Sequence, residues 1–306
     1  MRNINIVLPT LTFSSFAYVG RIVKMLFENF NTNTVEHPAN IVFSTNYRRG
    51  FLNLRIDDLA LTLREGRFSD VAWLDTALNL DKIHSRVKTS PARIYVCGCD
   101  DKRKCEEKGV KVEGVIPRPF NPIAYMFRNM KYEKKYDVMV IGWYIKPDRK
   151  NFRFADEIVR RLNLKAVAIT NYRCVWERYD FSSLDDFAKF RLLSKSKYLL
   201  QLSGREGFGM PVLEAMAVGT PVIYLDAPVH NEFAVGFKIP ARESEIIKLS
   251  LGNCTVFKPD IGEALDVVKQ ALDVYGTNRY FELSCLAMSK ADKILADVIG
   301  WLRSLL

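Results

Sequence analysis

Two glutamates enclose a glycine-rich segment in the second half of the 306-residue sequence, with seven residues between them. The segment, EGFGMPVLE, runs from Glu206 to Glu214 and follows a strand-like apolar run, YLLQLS. A glycine loop that leads into a helix presents free backbone N–H groups at the positive end of the helix dipole, and such an end binds anions. The residues therefore predict either an anion site, for phosphate above all, or a plain reversal of the chain between a strand and a helix.

The two carboxylates also have more than one interpretation. We place Glu206 in the loop and Glu214 in the first turn of a helix over 210–218, bracketed by Pro211 and Gly219. A carboxylate there can bind a ligand, but it can equally stabilise the helix dipole. The spacing of the glycines matches neither the P-loop nor the dinucleotide fingerprint. The residues by themselves leave the site's chemistry open.

The segment resembles the donor-site signature of the family-four retaining glycosyltransferases. That signature joins two glutamates, separated by seven residues, to loop glycines, a proline and an Ala-Met-Ala helix, as in EGFGMPVLEAMAVGTPVI here. The segments GVIPRPFNP (114–122), VIGWYIKPDRKNF (140–152) and APVHNEF (227–233) also resemble the family. The resemblance covers about 110–235 and is weak over the first hundred residues. It implies an α/β GT-B fold, with two Rossmann-like domains facing across a cleft and a C-terminal helix crossing back to the first.

The resemblance further implies roles for single residues. Glu214 matches the glutamate that binds the donor's ribose hydroxyls. Glu206 matches the catalytic glutamate near the donor sugar, which stabilises positive charge at the anomeric carbon. Lys150, with Arg149 beside it, matches the basic residue that binds the diphosphate and offsets its charge as the nucleotide leaves. The remaining residues implied to bind the donor are Gly207, Phe208, Gly209, Met210, Pro211 and Val212.

One position departs from the family pattern. Relatives often carry a second basic residue directly after the glycine that ends the opening strand, whereas Gly142 is followed here by Trp143. Arg149 or Arg205 is a candidate to supply the missing charge, since guanidinium groups suit phosphate oxygens. Without the resemblance, Arg149 and Lys150 are more typical of a solvated turn.

The first half offers fewer candidates, all on the acceptor side. Ser14 and Ser15 lie in the loop PTLTFSSFAYVG and are small and polar enough to approach a phosphate or an acceptor, although the paired glycines frequent there in the family are missing. Asp75 ends the strand candidate DVAWLD, where relatives often have a histidine. The histidines, which we interpret as structural or surface residues, are His37, His84 and His230.

Short apolar runs alternate with segments of helical period along most of the chain. This alternation predicts parallel sheets with helices on their faces. The predicted strands are 4–9, 40–45, 70–75, 92–98, 137–143, 165–171, 198–203 and 221–226, and the predicted helices are 17–30, 152–162, 184–194 and 210–218.

The stretch over 115–135 is proline-rich and then basic, and it predicts an interdomain connection without helix. We therefore divide the chain into an acceptor-side domain over 1–128, a nucleotide-sugar donor domain over 135–285 and a C-terminal helix over 286–306. That last segment is amphipathic, and we expect it to pack back toward the first domain.

Composition and charge restrict the class of protein. The sequence is 48% hydrophobic and 26% charged, with a net charge of +10, which is typical of a globular protein with an anionic partner. No apolar run reaches the ~18 residues of a membrane span, and the cysteine spacing suits reduced thiols. We expect a cytoplasmic protein. Basic clusters at 101–111 and 128–135 suit either a solvated face or peripheral contact with a membrane surface.

The resemblance implies a retaining, hexosyltransferase-like enzyme that moves a sugar from a nucleotide-diphosphate donor to a hydroxyl of a glycan, lipid or protein acceptor. We expect neither a cofactor nor a metal, because the sequence has no Asp-x-Asp cluster and cationic groups are available for the diphosphate. The alternatives are a sugar-nucleotide epimerase or phosphorylase on the same scaffold, and a non-enzymatic nucleic-acid-binding protein. The spread of basic residues along the chain disfavours nucleic acid.

Overall fold

The computed structural model describes residues 3–9, 15–30, 41–49, 51–66, 69–128, 130 and 132–305. The chain forms two compact units. The first lies within 1–120 and takes in 294–306, and the second comprises 121–293. The chain thus passes from the first unit to the second at Phe120, a little before the predicted end of the first domain at 128.

The first unit is built on a six-stranded parallel sheet with the order β2-β1-β3-β4-β5-β6. Its apolar strands are buried on both faces, as is usual where helices cover a parallel sheet. The strands are β1 (Ile4–Val7), β2 (Ile41–Ser44), β3 (Leu52–Asp58), β4 (Val71–Asp75), β5 (Arg93–Val96) and β6 (Gly114–Val115). The helices are α1 (Ser15–Phe30), α2 (Leu59–Glu65) and α3 (Cys99–Glu107), with a 3-10 turn over Ser85–Thr89.

Strand β3 was not predicted, because polar residues interrupt its apolar ones. Asn53 is fully buried, and its side-chain amide donates to the carbonyls of Arg48 and Phe51. Arg55 and Asp57 neutralise each other through an ion pair with an N–O distance of 2.8 Å. Since buried polar groups need partners, these contacts allow a polar sequence to occupy an inner strand.

The second unit repeats the architecture with the order β12-β11-β10-β7-β8-β9, again all parallel. Its strands are β7 (Tyr136–Ile141), β8 (Ala166–Ile169), β9 (Glu177–Tyr179), β10 (Ser196–Gln201), β11 (Val222–Leu225) and β12 (Gly236–Ile239). Its helices are α4 (Tyr125–Arg128), α5 (Phe152–Arg161), α6 (Asp186–Ser194), α7 (Met210–Ala217), α8 (Pro228–Phe233) and α9 (Ile261–Val274), with 3-10 turns over Pro122–Ala124 and Phe181–Ser183. The apolar residues of the four predicted strands, 137–143, 165–171, 198–203 and 221–226, form the core, whereas β9 and β12 were not predicted.

An antiparallel hairpin in the second unit was also missed by the sequence analysis. It consists of β13 (Ala241–Leu249) and β14 (Gly252–Pro259). Gly204 packs directly on β14, where the N–H of Phe257 donates to the Gly204 carbonyl at 3.1 Å. The hairpin therefore holds the loop that leaves β10.

The predicted connection over 115–135 is wrong in one respect, because it contains helical turns. Asn121 accepts a hydrogen bond from the N–H of Ile123 at 3.1 Å and so caps the turn that continues into α4. Pro122 fits the first position of the turn, where its missing N–H would have no partner in any case. Prolines thus start this turn, although they exclude the interior of a helix.

The last helix, α10 (Asn278–Leu305), begins before the predicted residue 286 and contributes residues to both units. In its final turns, Trp301 lies against the first sheet, with its ring centroid 4.8 Å from that of Trp73 and 5.1 Å from that of Tyr95. Among the described residues, no helix has both the length and the apolar character that a membrane span requires.

Asp58 offers a test of the first unit through pH. Its carboxylate caps α2 by accepting from the N–H of Leu61 and the hydroxyl of Thr76. Burial nevertheless raises the pKa of Asp58 from 3.8 to about 6. Because the pKa is raised in the native state, the protonated carboxyl contributes its full stabilisation below pH 4. As the pH rises to 6 and above this contribution is lost, and the free energy of unfolding falls by about 3 kcal/mol.

We therefore expect Asp58→Asn, which keeps an acceptor for Leu61, to show a smaller decline in stability between pH 4 and 6.5 than the wild type. Urea unfolding at intervals across this range measures the difference, with the exposed Asp81→Asn as a control. Parallel curves for wild type and Asp58→Asn would contradict the assignment.

Candidate functional site

Three segments that follow neighbouring strands build the candidate site in the second unit. They are residues 142–151 after β7, residues 202–209 after β10, and α8 after β11. Because β7, β10 and β11 are adjacent and parallel, their carboxyl ends meet at one edge of the sheet. Ligands of open α/β sheets bind at this edge.

Asn151 holds the first two segments together. Its backbone has a φ of 55°, in the left-handed region that asparagine tolerates better than most residues. Its buried side-chain amide donates to the carbonyl of Leu202 at 2.8 Å and to that of Phe257 at 2.9 Å. The N–H of Gly204 donates in turn to the Arg149 carbonyl at 3.0 Å. These bonds place residue 150 beside the glycine loop.

The structure brings the three predicted catalytic residues together. The amine of Lys150 donates to Oε1 of Glu206, and Nη1 of Arg149 lies 3.5 Å from Oε2 of the same carboxylate. Their side chains are 10–16% exposed. Burial raises the pKa of Glu206, but Lys150 and Arg149 outweigh it and bring the pKa to about 2. The carboxylate is therefore ionised at neutral pH and paired with two cations, which rules out the interpretation of Arg149 and Lys150 as a solvated turn.

The glycine loop leads into α7 as predicted. Gly209 caps the helix with a φ of 91°, which favours glycine, and Pro211 lies in the first turn. Phe208 and Val212 are buried, and the Phe208 ring stacks on Phe233 with centroids 4.8 Å apart. Their side chains thus serve the core, while the backbone around Gly207 and Met210 forms the amino end of the helix.

Glu214 lies deeper than predicted. It is the fifth residue of α7 and not part of the first turn, so its stabilisation of the helix dipole is ruled out as an explanation. It is 2% exposed, and its Oε1 lies 2.6 Å from the amine of Lys189, which also contacts Asp186 at 3.0 Å. Lys189 comes from α6, and nothing in the local sequence singled it out. A buried, charge-compensated carboxylate is suited to accept hydrogen bonds from hydroxyl groups.

Trp143 and Arg205 differ in their surroundings. Trp143 is 56% exposed and packs on Phe181 with ring centroids 5.8 Å apart. Arg205 is buried, and its carbonyl accepts a hydrogen bond from the guanidinium of Arg149. The replacement of the missing basic residue by Arg149 or Arg205 stays a prediction.

The acceptor-side candidates lie in the first unit. Ser14 falls outside the described residues, and Ser15 is the exposed first residue of α1. Asp75, at the carboxyl end of β4, accepts a hydrogen bond from Nε of Arg118 at 2.7 Å. Arg118 is 1% exposed, and its guanidinium lies 4.7 Å from the ring centroid of Trp73. Arg118 was missed, although it stands between two prolines in the segment PRP that closes the first unit.

The histidines have different positions. His37 lies outside the described residues, and Nδ1 of His84 accepts from the N–H of Arg86 at 3.2 Å, which is a structural role. His230, on α8, is 1% exposed and lies against the glycine loop. A Cβ placed at Gly209 would be 3.2 Å from both Cδ2 and Nε2 of the His230 ring. Burial lowers the pKa of His230 to about 4, although Glu206 and the Leu225 carbonyl favour the protonated ring.

The basic cluster near 128–135 lies at the other edge of the second sheet. A cavity of about 440 Å³ there is lined by Lys134, Lys135, Lys165, Lys195 and two further residues, Tyr132 and Glu133. These lysines stand at the amino ends of β7, β8 and β10. Burial lowers the pKa of Lys134 to about 8. This cluster is therefore separate from the edge that carries Glu206.

Comparison with solved structures identifies the fold. Anabaena HepE, solved in complex with UDP, superposes with a TM-score of 0.69 at 12% identity and covers 99% of both chains. WaaG, a glycosyltransferase involved in lipopolysaccharide biosynthesis, superposes with a TM-score of 0.63 at 10% identity and covers 98% of both. The chain accordingly has the α/β GT-B fold with two Rossmann-like units, as the sequence predicted.

The family match is more local. Residues 181–238 match the family described as glycosyl transferases group 1, and they include both glutamates and the glycine loop. The chain is 33% identical over 207 residues to putative glycosyltransferase 48 of Sulfolobus islandicus filamentous virus (isolate Iceland/Hveragerdi), a match over 61% of this chain and 65% of the relative. The resemblance to GT-B glycosyltransferases drawn from the sequence is thereby confirmed. The chain spans between 54% and 65% of the length of the first three relatives it matches.

Proposed function

We propose that the protein is a glycosyltransferase that moves a sugar from a nucleoside diphosphate donor to an acceptor hydroxyl, with retention at the anomeric carbon. One observation carries this proposal: Glu206, Lys150 and Arg149 converge beside the glycine loop at the amino end of α7. Glu206 lies within the residues that match group 1 glycosyl transferases, and the two cations contact it from outside that range. The site thus holds both signs of charge at one point.

Sugar transfer needs both signs of charge. The sugar becomes cationic at its anomeric carbon as the bond to the diphosphate breaks, and the leaving diphosphate becomes more anionic. Lys150, Arg149 and the amino end of α7 stabilise the leaving group, while Glu206 stabilises the sugar. Since Lys150 binds Glu206 in the structure, an incoming diphosphate competes with this carboxylate for the amine. Donor binding therefore releases Glu206 toward the sugar.

Glu214 completes the donor site in this proposal. Its carboxylate accepts hydrogen bonds from the ribose hydroxyls and is paired in its buried position with Lys189. The transfer proceeds by front-face attack, in which a donor phosphate oxygen takes the proton of the acceptor hydroxyl. No side-chain base is required for this route.

The solved relatives support a uridine donor. One structure of Anabaena HepE contains UDP and glucose, and the pneumococcal O-GlcNAc transferase GtfA was solved with UDP and GlcNAc. We infer that a UDP-hexose is the first donor to test. The acceptor is a hydroxyl of a glycan, lipid or protein.

We also propose that the reaction needs no divalent metal, because the cations that face the diphosphate are Lys150 and Arg149. A cytoplasmic location completes the proposal. It is supported by the spacing of the cysteines in the sequence, which suits reduced thiols.

The proposal is tested with a panel of UDP, GDP and ADP and their glucose, galactose and N-acetylglucosamine conjugates, with and without EDTA. We expect one nucleotide series to raise the melting temperature of the wild type, and Glu214→Gln to lose that shift. The released sugar or the product, examined by proton NMR before mutarotation, should carry the anomeric configuration of the donor.

The opposite outcomes are equally clear. An inverted anomer contradicts retention, and loss of activity in EDTA that is restored by Mg²⁺ contradicts metal independence. If none of the nucleotides binds while single-stranded DNA or RNA binds in a salt-dependent manner, the protein is a nucleic-acid-binding protein instead.

A further inference from the structure

His230 has a position that neither its structural role nor the proposed donor contacts explain. The ring is 1% exposed, and within the described part of the chain neither of its nitrogens has a hydrogen-bond partner of good geometry, although the Leu225 carbonyl lies near the ring. The segment that places it, α8, follows β11 at the carboxyl edge of the second sheet. A buried polar group without a partner destabilises the native state, and in proteins such groups often serve a ligand.

The ring edge faces the amino end of α7. Nε2 and Cδ2 occupy the space in which a side chain at residue 209 would lie, since each is 3.2 Å from a Cβ built on Gly209. Gly209 is the N-cap of α7, which is eight residues long. The first turn of α7 therefore lies beside the imidazole. In this turn Pro211 has no N–H, and the N–H of Val212 donates to the Gly209 carbonyl at 3.0 Å.

The same ring is close to the charged pair. Glu206 and Lys150 both act on the charge of His230, in opposite directions. The imidazole edge thus lies beside the amino end of α7 and near the Glu206–Lys150 pair. A neutral imidazole carries one N–H, and the tautomer that places it on Nε2 can donate to an oxygen beside Gly209.

We propose that His230 is a donor-recognition residue, whose Nε2–H donates to the terminal phosphate of the nucleoside diphosphate at the amino end of α7. The inference rests on the proposed function. It adds His230 to the groups proposed to bind the diphosphate, which are the two cations and the amino end of α7. It predicts that His230 acts on the second phosphate and not on the nucleoside or the first phosphate.

Three variants test this contact. His230→Leu fills the buried space without a polar atom, His230→Gln keeps an N–H donor, and His84→Leu makes the same change at a structural histidine of the first unit. Each protein is titrated calorimetrically with UDP and UMP, GDP and GMP, and ADP and AMP. The ratio of diphosphate to monophosphate affinity is the quantity of interest.

We expect His230→Leu to lower the affinity for the diphosphate that binds wild type by about tenfold or more, and to change the affinity for its monophosphate by less than about twofold. His230→Gln should retain most of the ratio, and His84→Leu all of it. Melting temperatures provide a second readout, because replacing an unpartnered buried imidazole by leucine is expected to preserve or raise stability.

The outcomes separate the two proposals. An unchanged ratio in His230→Leu, or equal losses for diphosphate and monophosphate, overturns the role of His230 while the proposed function stands. A wild type that binds none of the six nucleotides overturns both.

Discussion

Glu206→Gln should slow the release of nucleoside diphosphate from the donor sugar by ~10²–10³-fold and leave the affinity for the free diphosphate equal or higher. The carboxylate stabilises positive charge that exists only in the transition state. Replacing it with a neutral amide therefore lowers the reaction rate but does not weaken nucleotide binding. Lys150, which is bound to Glu206 in the structure, is then free to bind the phosphates. Initial rates and calorimetry on the same preparation measure the two effects.

Lys150→Met should lower the rate of sugar transfer, the affinity for the diphosphate and the stability of the fold. It removes one positive charge that faces the diphosphate. It also leaves the Glu206 side chain, which is 10% exposed, paired among the described residues only with Arg149 at 3.5 Å. Removing one member of a buried ion pair destabilises a protein by about 3–5 kcal/mol. The double variant Lys150→Met with Glu206→Gln removes both charges, so we expect it to recover most of that stability but no activity.

This set of variants contains its own control. If Glu206→Gln retains the wild-type rate, the carboxylate has no part in catalysis. If the double variant is as unstable as Lys150→Met, the loss comes from packing around the lysine stem and not from an uncompensated charge.

Gly204→Ala should have the largest effect on folding of any glycine substitution at the site. A Cβ at this position would lie 2.1 Å from the Phe257 carbonyl oxygen and 2.8 Å from the Phe257 nitrogen, both of them backbone atoms of β14. The loop and the hairpin must separate to admit it, which breaks the bond from Phe257 to Gly204 and displaces Arg149. We expect a loss of about 4 kcal/mol or more in the free energy of unfolding, together with weaker nucleotide binding.

Gly300→Ala provides the matched control for this substitution. Gly300 lies in the exposed interior of α10, and apart from the neighbouring backbone of the helix no atom of the described residues lies within 4 Å of a Cβ built there. The higher helix propensity of alanine should therefore stabilise the protein by up to about 1 kcal/mol. Urea unfolding compares the two variants. A Gly204→Ala protein within 1 kcal/mol of wild type would show that the hairpin is not held to the loop as described.

The sequence was sufficient to predict the fold class and the loop of the site. Parallel strands with two buried faces give short apolar runs, and Gly209, Pro211 and Gly219 mark the ends of a helix through their own backbone preferences. The two-glutamate spacing then identified the family. These features depend on a residue and its near neighbours, so they can be recognised without knowledge of the tertiary structure.

The missed elements are those whose stability comes from distant partners. Strand β3 contains Asn53, Arg55 and Asp57, and it is a strand because the rest of the first unit pairs these polar groups. The alternation of apolar and polar residues in the hairpin β13–β14 is obscured by its charged residues. Propensity is weak for such segments, and tertiary contacts override it.

Within the site, the sequence determined the type and spacing of Glu206, Glu214 and Lys150. Only the tertiary structure decided what each of them touches. The pairs Lys150–Glu206 and Lys189–Glu214 join residues 56 and 25 positions apart, and His230 reaches Gly209 from a separate helix. The charge of a buried group and the partner that compensates it are set by the three-dimensional arrangement, because electrostatic interaction depends on distance in space and not on separation along the chain.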